Sequence, residues 1–195
     1  MAADTKGNDL TQVDFPVDGQ IWIGPNTIPV LSKSDLMAPV LQVPTGLDPL
    51  GLLTTDGGPE WKTNGVGDAQ EFFQDGYQIP GQGGSYQESV TAAQNQLLVD
   101  QLVNGVAFDQ DGYRDVTQLT NPGIYTVLSQ IVYKSGRIER RMSNNVTVTS
   151  DSAKNKETRA SVTGTSLVFN WAVMTDGRYF AEAKFTPTAT TAPAA

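Results

Sequence analysis

Residues 166–174 read SLVFNWAVM, and residues 124–133 read IYTVLSQIVY. In the first stretch, large apolar side chains occupy every second position: Leu167, Phe169, Trp171 and Val173. In the second stretch, one face carries Tyr125, Val127, Ile131 and Tyr133. A period of two places alternate side chains on opposite faces of a β-strand. Both stretches are therefore predicted to be strands of a sheet that buries at least one face in a core.

The segments around these two stretches predict further strands. Ser135-Gly136 is a turn signal, and after it Ile138, Arg140 and Met142 share one face of a returning strand. Residues 144–149 alternate in the same way. Asp176-Gly177 predicts a hairpin that joins the strand 162–174 to a strand 179–185. The polar residues 150–160 between them are predicted to be an exposed loop.

The absence of two residue types limits the chemistry of this chain. Its 195 residues include no Cys and no His. Thiolate nucleophiles, Ser-His-Asp triads, and zinc sites built from Cys or His are therefore impossible. We predict no metal, no cofactor and no enzymatic activity.

Paired carboxylates, as in glycosidases, are the one catalytic arrangement that this composition leaves open. The candidates are Glu60, Glu71, Glu88, Asp109 and Asp111. Trp22, Trp61 and Trp171 are candidates to line a sugar groove, although the position of Trp171 in an alternating strand favours the core. Residues 108–115 (FDQDGYRD) resemble part of a calcium loop, but its first and twelfth positions are Ala107 and Gln118, so an Asp-Gly turn is the better interpretation.

The N-terminal part begins with a polar, acidic stretch, residues 1–18, which is predicted to be an extended arm. A short hairpin is predicted over 20–31, with its turn at 24–27. Residues 32–67 then combine many Gly and Pro residues with many leucines. A loop of this length is unusual inside a compact domain. Either it covers the core of its own chain, or it packs into an adjacent subunit.

The middle of the chain predicts strands over 68–77 and 85–93, separated by a flexible glycine-rich tip at 81–84. Asn95 is a candidate N-cap, and Leu97, Leu98, Leu102 and Val103 follow at helical spacing. One short helix is therefore expected over 95–105. The organisation predicted is a single β domain over 19–185, with the arm 1–18 before it and a flexible tail 186–195 after it.

The charge is distributed unevenly. Residues 1–120 hold 16 acidic and 4 basic side chains, whereas residues 121–195 hold 5 acidic and 9 basic ones. The asymmetry is either a chance feature of a long acidic surface or a sign that opposite charges meet between copies in a head-to-tail contact. We expect no signal peptide and no membrane span, because no apolar run reaches the required length.

The order of these segments resembles the major tail proteins of long-tailed, non-contractile bacteriophages, in particular phages of actinobacteria. A polar arm precedes a Trp-bearing hairpin (20–31), a long apolar loop (32–67), a strand pair (68–93) and one short helix (95–105). A long hairpin (123–142), the strand 162–174 with its Asp176-Gly177 turn, and a Thr/Pro/Ala-rich tail follow. The resemblance covers nearly the whole chain and rests on order, not on a single diagnostic motif.

The resemblance implies a mainly β, sandwich or barrel-like tail-tube fold with one flanking helix. It implies homo-hexameric rings that stack into the tail tube of the virion, after synthesis in the cytoplasm of the host bacterium. The implied partners are further copies, the tape-measure protein, the tail terminator and distal tail proteins, while phage DNA passes through without specific binding. The residues expected at subunit contacts are Met37, Leu41, Leu47, Leu50, Leu52, Trp61, Arg137, Arg140 and Arg141.

Two alternative functions remain open at this point. One is another self-assembling β protein, such as a secretion-system tube subunit, a capsid decoration protein or a sheath-like part. The other is a carbohydrate-binding module or enzyme that stays monomeric. The absence of His and Cys suits a purely structural role but does not separate these alternatives.

Overall fold

A computed structural model describes residues 13–54, 58–64, 70–71, 78–79, 84–94, 96–107, 109–115, 123–150 and 164–187. Ten strands and two short helices lie in these ranges. In chain order they are β1 (Pro16–Pro25), α1 (Lys33–Leu36), β2 (Asp48–Pro49), β3 (Glu60–Asn64), β4 (Gln70–Glu71), β5 (Gln78–Ile79), β6 (Ser85–Ala92), α2 (Gln96–Asn104), β7 (Ile124–Tyr133), β8 (Ile138–Ser150), β9 (Thr165–Trp171) and β10 (Ala181–Phe185). The prediction of a mainly β protein is confirmed.

Eight strands form one antiparallel sheet in the order β2-β1-β7-β8-β9-β6-β3, with β10 also paired to β8. The strands β4 and β5 form a separate pair. Within the described residues the large sheet is open, because β2 and β3 end its strand order. The finer prediction of a sandwich or barrel-like fold is therefore not confirmed.

The long strand β8 organises the C-terminal part of the sheet. Along one edge it pairs with β7, and along the other edge it pairs first with β10 and then with β9. The predicted hairpin between residues 162–174 and 179–185 is therefore wrong, since β9 and β10 lie end to end on β8. The turn itself is present, with Gly177 at φ 84° and its N–H donating to the Met174 carbonyl at 3.0 Å. A turn sequence predicts that the chain reverses its direction locally. It does not predict which strand the following segment pairs with, because that depends on which strand edges of the sheet are free.

The strand β1 is longer than predicted and has a different partner. It pairs along its whole length with β7, so the hairpin predicted over 20–31 is wrong. The turn is real, because the Ile28 N–H donates to the Pro25 carbonyl at 3.1 Å. The chain after this turn leaves the sheet and crosses one of its faces. The strand also begins at Pro16, inside the predicted arm 1–18, of which residues 1–12 lie outside the described ranges.

Apolar side chains bury both faces of the sheet. One cluster lies on the inner face together with α2 and contains Ile21, Ile23, Leu50, Val90, Ala92, Val99, Leu102, Val127, Val146, Val148, Leu167, Phe169 and Trp171. The other cluster covers the opposite face and contains Trp22, Ile28, Leu36, Leu47, Leu128, Met142 and Ala183. Since Leu36, Leu47 and Leu50 belong to these clusters, part of the apolar segment 32–67 covers the core of its own chain.

The segment 48–54 crosses from one sheet edge to another. Near its start, the Leu50 N–H donates to the Ile21 carbonyl of β1 at 2.8 Å. Near its end, Leu53 forms a single bridge to Ala92 of β6. Gly51 has φ 86°, and a Cβ there would lie 2.8 Å from Cβ of Gln94, so this crossing needs glycine. The outer edges of β1 and β6 are thus brought near each other.

Several sequence predictions are confirmed here. The strands β6, β7 and β9 lie within their predicted ranges, and α2 ends at Gly105, with φ 70°. In the Asp-Gly turn, Oδ1 of Asp109 accepts hydrogen bonds from the N–H groups of Asp111 and Tyr113 at 3.0 and 2.7 Å. Of the predicted strand 68–77, the described part is Gln70–Glu71. The rest of that strand, most of the tip 81–84, nearly all of the loop 150–160 and the tail from 188 lie outside the described ranges.

Candidate assembly surface

The residues predicted for subunit contacts fall into three groups by exposure. Buried within the chain are Leu47, Leu50 and Arg140, and half-buried are Leu41, Trp61, Arg137 and Arg141. Exposed are Met37 and Leu52. The first group serves the chain's own fold instead of a free surface, because it offers almost no area to a neighbour. For the other residues the contact role stays a prediction.

Arg140 joins the helix α1 to the sheet. It is 1% exposed, and its Nη1 donates to the carbonyl oxygens of Leu36 at 2.8 Å and Ala38 at 2.6 Å. Its Nε donates to Oε1 of Gln130 at 2.7 Å, and its guanidinium lies 5.2 Å from the centre of the Phe185 ring. Burial lowers the pKa of Arg140 from its ordinary value. Carbonyl dipoles at the end of α1 therefore hold this cation inside the fold.

The opposite face of β8 carries an ion-pair network with β10. Arg141 donates to Glu182 at 2.6 Å and lies 3.4 Å from Glu139, while Lys184 lies 3.5 Å from Glu182. Arg137 extends this network from Glu139 to Asp14, which precedes β1. In this network Arg137 and Arg141 are each paired with acidic side chains.

The half-buried Trp61 belongs to an aromatic cluster at the end of the inner core. Its ring centre lies 5.0 Å from that of Trp171 and 5.6 Å from that of Phe180. The guanidinium of Arg141 stacks on its other side, 4.2 Å from the ring centre. Trp22 belongs to the cluster on the opposite face of the sheet. The three tryptophans therefore do not form one groove for a sugar.

An apolar patch at the start of β1 was missed in the sequence analysis. Val13, Phe15 and Val17 are each more than half exposed, and they alternate with Asp14 and Pro16. The Phe15 carbonyl accepts from the Lys134 N–H at 2.9 Å, and Asp14 accepts hydrogen bonds from Ser135. The alternation is visible in the sequence, but residues 1–18 were predicted to be an extended arm, either disordered or docked on a neighbour. The hydrogen bond from the Ser135 hydroxyl is the main cause that lowers the pKa of Asp14.

The outer edge of β1 beside this patch is open. Among the described residues, β2 pairs with Trp22 and Ile23, and no strand pairs with the outer edge of residues 16–20. A cleft of about 700 Å³ runs along this edge, with Val17, Gly19, Leu52, Leu53, Pro59 and Ile131 among its walls. We call this region, formed by Val13, Phe15, Val17, Leu52 and the edge 16–20, the β1-edge surface.

A buried carboxylate lies on the inner face of β6. Glu88 is fully buried, and its Oε1 accepts a hydrogen bond from the Ser129 hydroxyl of β7 at 2.8 Å. Its Oε2 has no hydrogen-bond partner among the described residues. Burial raises the pKa of Glu88 to about 7, and the hydrogen bond from Ser129 and the charge of Arg141 oppose this shift.

The candidate catalytic carboxylates Glu60, Glu88 and Asp109 lie in different environments. Glu60 lies on the exposed face of β3, where it is 3.8 Å from Lys62, and Glu88 faces inward from β6. Asp109 is engaged in its turn, and the side chain of Glu71 is not described. Within the described ranges, no group of three or more acidic side chains is placed to hold a metal ion.

Comparison with known proteins gives no family for this chain. No family model matches the sequence, and no curated protein matches it. The helices in the described ranges are too short and too polar to cross a membrane. The case for a function therefore rests on the surfaces described above and on the segment order of the sequence.

Proposed function

We propose that this chain is a structural protein that assembles with copies of itself, as a tail-tube subunit of a long-tailed, non-contractile phage. In this role its rings are hexameric and stack into the tube of the virion. Its partners would then be neighbouring copies, the tape-measure protein, and the terminator and distal tail proteins at the two ends. DNA passes through the tube without specific binding.

The observation that carries this proposal is the β1-edge surface. Among the described residues, no strand pairs with the outer edge of residues 16–20 of β1, and exposed apolar side chains lie on and beside this part of the strand. An exposed strand edge is a template for pairing with another chain, and monomeric proteins usually block it. Here Phe15 is 61% exposed and Leu52 is 70% exposed, so the region resembles an interface that a partner covers.

The charge of the chain supports a partner that is another copy. The net charge is −8, and the described ion pairs mostly join residues within one half of the sequence; the contact of Arg137 with Asp14 crosses between the halves. In this proposal, the acidic and basic parts of the chain meet further between neighbouring copies. A tube with an acidic N-terminal part would also not retain DNA, because like charges repel.

Negative-stain electron microscopy with size-exclusion chromatography tests this proposal. The wild-type protein is expected to form rings or tubes as its concentration rises. The variants Phe15→Asp and Leu52→Asp are expected to stay monomeric, because a carboxylate would have to be buried at the contact. Far-UV circular dichroism should show that both variants keep the wild-type fold.

The matched control is Leu97→Asp, which introduces the same charge at a similarly exposed leucine on α2. This control is expected to assemble like the wild type. Assembly of Phe15→Asp and Leu52→Asp at wild-type concentrations would remove the β1-edge surface from the contact. A wild type that stays monomeric at every concentration, with tryptophan fluorescence that responds to glycans, would favour the carbohydrate-binding alternative.

A further inference from the structure

Glu88 and Trp61 face each other on neighbouring strands. They are directly opposite in the antiparallel pairing of β3 with β6. Side chains at such positions share one face, with Cβ atoms about 5 Å apart. The indole N–H of Trp61 is buried without a partner among the described residues, and so is Oε2 of Glu88. The indole ring of Trp61 therefore lies beside the Glu88 carboxyl group but makes no hydrogen bond to it.

Few of the groups around Glu88 can stabilise a negative charge on its carboxylate. Phe169 of β9 is opposite it on its other side, and Ser129 of β7 contributes a neutral hydroxyl. Tyr86, two residues earlier on β6, contributes a phenol. Among the described residues, Arg141 of β8 is a cation whose charge acts on Glu88, and it is already paired with Glu182 and Glu139. An ionised Glu88 would therefore gain most by reaching water.

Displacement of β3 would give Glu88 a route to water. This strand ends the sheet, and four of its five residues are exposed. Trp61 is the one side chain of β3 that is packed into the core region. Pro59, directly before β3, lies in the wall of the cleft beside β1. Movement of β3 would therefore expose both Glu88 and the edge of β6, and would widen that cleft.

We propose that Trp61 and Glu88 form a proton-controlled latch for the edge strand β3. While Glu88 carries its proton, Trp61 stays packed beside it and β3 stays paired with β6. Loss of the proton to solvent favours the open state, in which β3 leaves β6 and the carboxylate is hydrated. The raised pKa of Glu88 places this change near neutral pH.

The latch has a consequence for assembly, and this consequence rests on the proposed function. The open state frees the edge Ser85–Ser89 of β6, which is paired with β3 in the closed state. A strand of a second copy can then pair with β6 beside the β1-edge surface. Assembly would in this way be favoured above neutral pH and slowed below it.

Amide hydrogen exchange of the monomeric protein at pH 6 and pH 8, after correction for intrinsic rates, tests the latch. Protection of the amides of β3 is expected to fall about tenfold over this range, as follows from a Glu88 pKa near 7 in the closed state and an ordinary one in the open state. The exchange of β3 should be insensitive to low urea, because a local opening exposes little surface. The exchange of β7 should respond to urea, because it requires global unfolding.

Two variants keep this test specific. Glu88→Gln preserves the shape of the side chain and an oxygen that can accept the hydrogen bond from Ser129, but its amide cannot ionise. The protection of β3 should therefore no longer depend on pH. The double variant Glu60→Cys with Ser89→Cys places a disulfide across a directly opposite pair in a chain that has no other Cys. When oxidised, it should block the opening of β3, and reduction should restore it.

Three outcomes would overturn the latch. Exchange of β3 at the same rate and with the same urea dependence as β7 would show that β3 opens with the whole protein. Equal protection of β3 at pH 6 and pH 8 in the wild type would show that no proton controls its opening. An unchanged pH dependence in Glu88→Gln would show that another group carries the proton.

Assembly at pH 8 separates the latch from the proposed function. The reduced double variant is expected to form tubes, and the oxidised one is not. If both forms assemble equally, the latch does not regulate assembly. If the wild type never assembles while the exchange results hold, the proposed function fails and the latch stands.

Discussion

At the scale of single residues, Glu88 is the one carboxyl group in the described part of the chain for which a raised pKa is found. Its pKa is near 7 in the folded chain, and the ordinary value is 4.5. The folded state therefore binds this proton more tightly than the unfolded state does. Its contribution to stability is fully present below about pH 4.5, falls as the pH rises toward 7, and is constant above that.

The variant Glu88→Gln tests whether this carboxyl group lowers the stability of the fold as the pH rises. The free energy of unfolding of the wild type should fall by up to about 3 kcal/mol between pH 4.5 and pH 8 through this one group. Glu88→Gln should lack this decrease and should be the more stable protein at pH 8, as measured by urea denaturation. A variant that is less stable than the wild type at pH 8 would mean that the charged carboxylate is stabilised in the fold.

The burial of Glu88 was present in the sequence as a pattern. Glu88 lies two and four residues before Val90 and Ala92, so the three side chains share one face of the strand β6. Val90 and Ala92 point into the core. Glu88 was a candidate catalytic carboxylate, but its position in this alternation already indicates that it faces the core. The partner Ser129 could not be found from the sequence, because it lies 41 residues away on a strand that does not neighbour β6.

At the scale of elements, alternating segments were predictable and their partners were not. The strands β6, β7 and β9 show a period of two, and their core faces follow from it. The turns at 24–27 and 175–177 were also found, but both predicted hairpins were wrong. Pairing is decided by long-range burial of both sheet faces, and a local turn carries no information about it. The helix α1 has four residues, too few for any periodicity.

The apolar segment 46–54 shows how two leucines separated by one residue differ in role. Leu50 is fully buried in the inner cluster, whereas Leu52 is 70% exposed at the cleft. Leu50→Ala should therefore lower the free energy of unfolding by about 2–5 kcal/mol, through lost burial and a cavity. Leu52→Ala should change it by no more than about 0.5 kcal/mol. Urea denaturation of both variants measures this difference, and equal losses would contradict the assignment of the two side chains.

At the scale of the whole molecule, the fold is a sheet that nearly meets itself without closing. The segment 48–54 connects the outer edges of β1 and β6, and β3 continues along the edge of β6. The opening between β1 and this segment is the cleft described above. The composition of the sequence was enough to exclude most enzyme classes. The cleft could not be predicted from the sequence, because it depends on how strands far apart in the chain pair with one another.

The remaining choice is between stacked tubes and separate rings, and the terminal segments 1–12 and 188–195 decide it. In the described part of the chain, the two apolar clusters are formed by residues between Ile21 and Phe185. Deletion of both segments should therefore leave the circular dichroism spectrum and the melting temperature of the monomer unchanged. In a tail tube, as the resemblance implies, the termini bridge successive rings, so electron microscopy should show rings that no longer stack. Tubes of normal length from the truncated chain would contradict this arrangement. If the full-length chain itself forms only separate rings, a secretion-system tube subunit becomes the better assignment.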